Sequence, residues 1–160
     1  SKLEVLKELL TDVLGDKKVI IFTQFAQMAD ILEREILGSL KISGSVDNEK
    51  RKGIVNQFNN GNSQILLMTE AGAYGLNLQA ASIIIHYDMP WSLAKIQQRE
   101  GRAHRIGQKD NVLIYSLLAK GTIDYYVKKV LHAKSELSNQ ILGDTPISMD
   151  EIKEALTYEE

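Results

Sequence analysis

Apolar residues along this chain arrive in two alternating forms. Some come at helical spacing: Leu3, Leu6, Leu10, Val13 and Leu14 form one stripe, and Gly15-Asp16 ends it. Others come as short unbroken runs. Val19-Ile20-Ile21-Phe22-Thr23 is rich in β-branched residues and reads as a strand buried on both faces. Ala26 to Leu37 returns to helical spacing and is stopped by Gly38, and a short strand follows around Leu40-Lys41-Ile42. Asp47 can cap a helix that continues to Phe58, with Asn60-Gly61-Asn62 closing it.

The alternation then repeats. Gln64 to Met68 and Ser82 to Tyr87 are buried strands, separated by the small-residue stretch Ala71 to Ala81. Ser92 to Arg105 has helical spacing, Val112 to Leu118 is a further strand, and Ile123 to Leu142 is a long closing helix. Strands separated by helices predict a three-layer α/β domain. Its sheet should be mostly parallel, of about five or six strands, with ligand-binding loops at the strands' carboxyl ends. The domain spans residues 1–142. Beyond it, 143–160 is an acidic appendage with a short helix from Ser148 to Leu156, opened by a Ser148/Glu151 capping box.

Composition narrows the class. No apolar run approaches the roughly 20 residues that cross a bilayer, so no membrane partner is expected. Ser1-Lys2-Leu3-Glu4 shows no signal-peptide pattern, and the chain has no cysteine. That excludes disulfides and cysteine-ligated metals and suits a reducing compartment. His86, His104 and His132 lack metal-ligand spacing, so no metal site is expected. The net charge is −2, but the appendage alone carries −5, which leaves +3 for residues 1–142. Lys95, Arg99, Arg102, Arg105 and Lys109 face only Glu100 within their stretch. Such a local excess is an anion site or a solvated helix face.

The richest part of this stretch is Gln98 to Gln108, Gln-Arg-Glu-Gly-Arg-Ala-His-Arg-Ile-Gly-Gln, where an Arg-x-x-Arg pair taken alone favours surface salt bridging to Glu100 and nearby acids. On a helix Gln98, Arg102 and Arg105 share one face. Two guanidiniums there repel unless an anion lies near them, and the planar fork of arginine fits phosphate. The stretch resembles the last helicase motif of the Swi/Snf-like ATPases, a branch of the superfamily-two helicases, with Arg105-Ile106-Gly107-Gln108 as its particular mark. Three further stretches resemble that family's motifs in the expected order. They are Phe22-Thr23-Gln24-Phe25; Ile42-Ser43-Gly44-Ser45 with Arg51 and Phe58; and Thr69 to Leu78. Ala73, Tyr74, Ser92 and Leu93 depart from the common pattern, the last two towards a prokaryotic or viral relative.

The resemblance implies the C-terminal RecA-like lobe of a double-stranded DNA translocase. By it, Arg102 and Arg105 are arginine fingers and Gln98 orders the nucleotide site. Gly75 and Asn77 lie near the nucleotide. Thr23, Gln24, Gly44, Ser45 and Thr69 hold the nucleic-acid backbone, and Trp91 lies at the groove or the inter-lobe cleft. Read alone, Thr23, Gln24 and Ser45 also fit turn or cap residues, Arg51 an intradomain bridge, and Trp91 and Phe58 core positions.

The 160 residues contain neither a Gly-x-x-x-x-Gly-Lys-Ser/Thr loop nor an acidic Asp-Glu-x-His box. The resemblance places both in a preceding lobe of the same polypeptide. That lobe would hold most of the ATP and Mg²⁺, and this chain alone, expected to be monomeric, would bind neither. The implied location is the cytoplasm of a prokaryote or the nucleus of a eukaryote. A strand-separating helicase lobe and a degenerate module that only binds nucleic acid or a partner are the rival expectations.

Overall fold

The computed structural model describes residues 1–69, 78, 80–88, 94 and 113–118. Within them the chain runs α1 (Lys2–Val13), β1 (Val19–Thr23), α2 (Ala26–Glu35), β2 (Leu40–Ile42), α3 (Asn48–Asn60), β3 (Ile65–Thr69), β4 (Ile83–His86) and β5 (Leu113–Ser116). The expected helices from Ser92, Ile123 and Ser148, and the boundary at 142, lie outside the described residues.

The five strands form one sheet in the order β2-β3-β1-β4-β5, and every neighbouring pair is parallel. The expected α/β class is therefore present, with a fully parallel described sheet. β1, β3 and β4 are buried at every position, which is why they read as unbroken apolar runs. Their alternating side chains build two cores. Val19, Ile21, Ile65, Leu67, Ile83 and Ile85 face Leu6 and Leu10 of α1 and Leu32 of α2. Ile20, Phe22, Leu66, Met68 and Ile84 face Phe58, which α3 contributes. Each such fully buried side chain stabilises the fold by about 1.5–3 kcal/mol.

The opposite faces taken by α2 and α3 follow from crossover handedness. The chain leaves β1, passes β3 to reach β2 through α2, and then steps back to β3 through α3. Right-handed crossovers travelling in opposite directions along a sheet must place their helices on opposite faces.

Local signals set the helix ends. Ser1 and Glu4 form a capping box on α1, and the Asp47 side chain accepts from the Lys50 N–H at 2.9 Å to start α3. α2 stops at Glu35, two residues before the Leu37 expected from spacing, because Ile36 is already extended. Gly38 then turns the chain at φ +80°, a conformation that suits glycine. α3 runs two residues past Phe58 to Asn60. Its C-terminal end is held by Lys18, whose ammonium donates to the carbonyls of Phe58, Gly61 and Ser63, the last two at 2.8 and 3.1 Å. A cation there satisfies carbonyls that the helix leaves open. Burial pushes the Lys18 pKa down.

Candidate functional site

The parallel register brings the carboxyl ends of four strands to one level. Phe22 lies beside Met68 and His86, Ile42 lies beside Met68, and Thr23 is paired directly with Thr69. Residues expected at the site from three separate stretches, Ser43 to Ser45, Thr69, and Thr23 with Gln24, thus share one edge of the sheet. Between β1 and β4 the chain's direction of travel reverses, since β1 leads towards β2 and β4 leads towards β5. In open α/β sheets the crevice at such a switch point is where ligands bind.

Asp88, just past β4, closes the base of that crevice. It is 5% exposed. One of its oxygens accepts the Thr23 hydroxyl, and the other accepts the Gln24 N–H at 2.8 Å. The Phe25 N–H donates in turn to the Thr23 hydroxyl at 3.3 Å. A buried carboxylate needs such partners, because an unpaired one carries a heavy desolvation cost. Beside it, burial and then the Asp88 charge push the Tyr87 phenol up. His86, also buried, stacks on Phe22 with ring centroids 6.3 Å apart.

These contacts divide the expected nucleic-acid residues. Thr23 is fully buried, with its hydroxyl donated to Asp88, and Thr69 is 4% exposed. Gln24 is half-buried, while Gly44 and Ser45 are exposed. Phe25, next to Gln24, is 59% exposed, an unusual position for a phenylalanine.

The loop after β2 is built on an arginine. Arg51 reaches back from α3 and donates to three of its carbonyls: Val46 at 2.8 Å, Gly44 at 3.3 Å and Ser43 at 3.4 Å. The Ser43 and Ser45 hydroxyls are 3.0 Å apart. With these carbonyl oxygens drawn towards Arg51, the amides of Gly44 and Ser45 have no partner among the described residues. Exposed glycine and serine amides of this kind suit phosphate oxygens. Arg51 thus makes no intradomain salt bridge among the described residues but braces a loop.

Gln98, Arg102, Arg105, Gly75, Asn77 and Trp91 lie outside the described residues. In sequence, Gln98 and the two arginines follow Asp88 by 10, 14 and 17 residues. Asp88 itself was not singled out from sequence. The available signal was a carboxylate placed directly after the apolar run Ser82 to Tyr87, where the strand's carboxyl end meets the switch point. Among the described residues, no group of three or more His, Asp or Glu could hold a metal ion. No helix among them is long and apolar enough to cross a membrane.

The model of the family described as "Helicase conserved C-terminal domain" matches residues 1–107. The ATP-dependent helicase fft2 of Schizosaccharomyces pombe is 38% identical over 152 residues, which cover 90% of this chain and 12% of that protein. Among solved structures, the C-terminal part of the Fun30 ATPase domain superposes with a TM-score of 0.76 at 26% identity. It covers 99% of this chain and 52% of that one. The Sulfolobus solfataricus SWI2/SNF2 ATPase core, solved in complex with double-stranded DNA, gives a TM-score of 0.65 at 30% identity, covering 84% and 29%. The chain thus spans about an eighth of the length of fft2.

Proposed function

The chain belongs to the helicase conserved C-terminal domain family, and on that premise we propose that it is the C-terminal motor lobe of an ATP-driven, Swi/Snf-like translocase on double-stranded DNA. The observation that carries this is the register at the carboxyl edge, which gathers Ser43 to Ser45, Thr69, Thr23 and Gln24 around the switch point. In sequence, Gln98, Arg102 and Arg105 follow β4, which borders that point. Likeness to an ATPase core solved with double-stranded DNA supports the same reading.

In this function the exposed Gly44 and Ser45 backbone N–H groups and the Gln24 side-chain amide grip the phosphodiester backbone without reading sequence. Buried Thr23 and Thr69 shape the edge from beneath. Gly75 and Asn77 approach the nucleotide, and Trp91 faces the groove or the cleft. ATP sits in a cleft against a preceding lobe of the same polypeptide, which also holds Mg²⁺. Arg102 and Arg105 close on the γ-phosphate and stabilise the charge that builds on its oxygens, with Gln98 ordering the site. Closure and release shift the backbone grip stepwise. The protein works where its DNA is, in a prokaryotic cytoplasm or a eukaryotic nucleus.

The test uses the full-length protein. Arg105→Ala should leave ATP affinity nearly intact and cut hydrolysis by at least ~10²-fold. An unchanged rate would remove Arg105 from the chemistry. Efficient strand displacement would turn the assignment towards a strand-separating helicase, and hydrolysis indifferent to both arginines would favour a module that only binds.

A further inference from the structure

The end of α3 carries a chemically fragile bond. Of the chain's asparagines, Asn60 alone is followed by a glycine. In an open chain the nitrogen after such an asparagine attacks the side-chain Cγ readily, because glycine has no Cβ to crowd the approach. Ammonia leaves as a five-membered imide closes, and water then opens the imide to aspartate or isoaspartate. The fold requires this glycine, since a Cβ at Gly61 would overlap the Gln57 carbonyl oxygen. The residue that lets α3 end is therefore the one that makes Asn60 reactive.

The folded chain holds back each part of that reaction. Asn60 is the last residue of α3, and ring closure needs both its backbone and its side chain to rotate. The side chain lies along the helix, with Nδ2 donating to the Asn56 Oδ1 at 2.7 Å. The Gly61 nitrogen must lose its proton to attack, and that proton is bound to the Gln57 carbonyl at 2.9 Å. The Lys18 ammonium ties the carbonyls of Phe58, Gly61 and Ser63, on both sides of the reactive bond. Asn56, Gln57, Asn60 and Gly61 are all exposed, so protection comes from conformation and not from exclusion of water.

We propose that Asn60-Gly61 is a deamidation site, held closed by the clamp at the end of α3 and opened to reaction when that end frays. Helix ends open locally at much lower free energy than the whole fold. Conversion is one-way. Isoaspartate adds a carbon to the backbone and carries Gly61 out of register with Lys18, and either product sets a carboxylate at the negative end of the helix dipole.

The experiment follows residue 60 of the full-length protein by peptide mass spectrometry during incubation at mildly alkaline pH. Asparagine, aspartate and isoaspartate are resolved, and thermal unfolding is recorded alongside. Wild type, folded and in guanidinium, is compared with folded Lys18→Met, Asn56→Ala and Leu10→Ala. Folded wild type should convert at least about 100-fold more slowly than the unfolded chain. Lys18→Met should raise the folded rate by about 5–30-fold as the open population grows. Asn56→Ala should raise it as well, and it carries the test if Lys18→Met does not fold. Alanine favours a helix more than asparagine does, so a faster rate there comes from the freed side chain and not from a weaker helix. Leu10→Ala, which truncates the core on α1, should lower the melting temperature and leave the rate near that of wild type. Equal rates in folded and unfolded wild type would overturn the clamp, as would unchanged rates in both Lys18→Met and Asn56→Ala. An unfolded chain that does not convert removes the site. A Leu10→Ala rate matching that of Lys18→Met would mean that only global unfolding exposes the bond, and local opening would be overturned.

Discussion

Arg51 donates its Nε–H to the carbonyl of Val46 at 2.8 Å, so the first turns of α3 hold the loop from which that helix starts. Its Nη2 reaches both Ser43 and Gly44, which brings one guanidinium to three carbonyls of a four-residue loop. Arg51→Ala should cost about 1–2 kcal/mol in urea unfolding, the range for charge-assisted bonds that are only partly buried. In the full-length protein it should also weaken DNA binding, because Gly44 and Ser45 lose their brace. Arg51→Lys should recover little, since an ammonium lacks the planar fork. Full affinity in Arg51→Ala would detach this loop from the nucleic-acid edge.

Lys18 and Gly61 together end α3. Lys18→Met keeps an unbranched side chain but removes the ammonium that stands over the Phe58 ring and donates to three carbonyls. The expected loss is about 1–2 kcal/mol, read from the urea midpoint. At Gly61 a Cβ would stand 2.4 Å from the Gln57 carbonyl oxygen, the same oxygen that accepts the Gly61 N–H. Gly61→Ala must therefore break the helix's last bond and should cost more than about 1 kcal/mol. An alanine variant as stable as wild type would contradict that geometry.

The pair of acids around Lys41 gives a pH dependence with a definite sign. Hydrogen bonds from Lys41 to Asp30 and then Glu33, both at 2.6 Å, hold its ammonium above the ordinary lysine value. The bound proton is thus favoured in the folded state. The contribution is complete below the unfolded value of about 10.4 and is lost as pH rises through the raised folded value. Lys41→Met should narrow its stability gap to wild type as pH rises above about 10.4. Asp30 and Glu33 are 60% and 44% exposed, so the gap itself should stay under about 1 kcal/mol and shrink in high salt. Lys18, shifted the other way by burial, is common to both proteins and cancels in the difference. A gap that widens at high pH would reverse the assignment.

The 160-residue chain by itself should hydrolyse no ATP above background, because the proposed arginines act on a phosphate gripped by another lobe. Adding the separately produced first lobe should restore some turnover, detected as phosphate release. Turnover by the chain alone would mean that it carries a phosphate-binding element of its own.

Among the described residues, the sequence by itself determined the element types and most of their bounds. Val19 to Thr23 and Ile65 to Thr69 read as strands because a parallel strand covered on both faces leaves no polar position. Asp47 announced α3 because an N-cap works within a few residues of itself. Spacing put the end of α2 at Leu37. There the extended Ile36, the turn at Gly38 and the 91% exposed Leu37 prevailed over an apolar pattern that still looked helical.

Only the tertiary structure decided the strand order. Each buried run offers the same apolar face to any neighbour, so composition cannot say that β1 lies between β3 and β4. The same holds for contacts between distant residues. Lys18 ends a helix whose last residues lie about 40 positions away, and Thr23 meets Asp88 across 65. Motif likeness assigned Thr23 to nucleic-acid contact, and the sheet register sets it beside Thr69 at the carboxyl edge of the sheet. Its hydroxyl, however, faces Asp88, because a buried carboxylate at the crevice must have a donor and Thr23 supplies one.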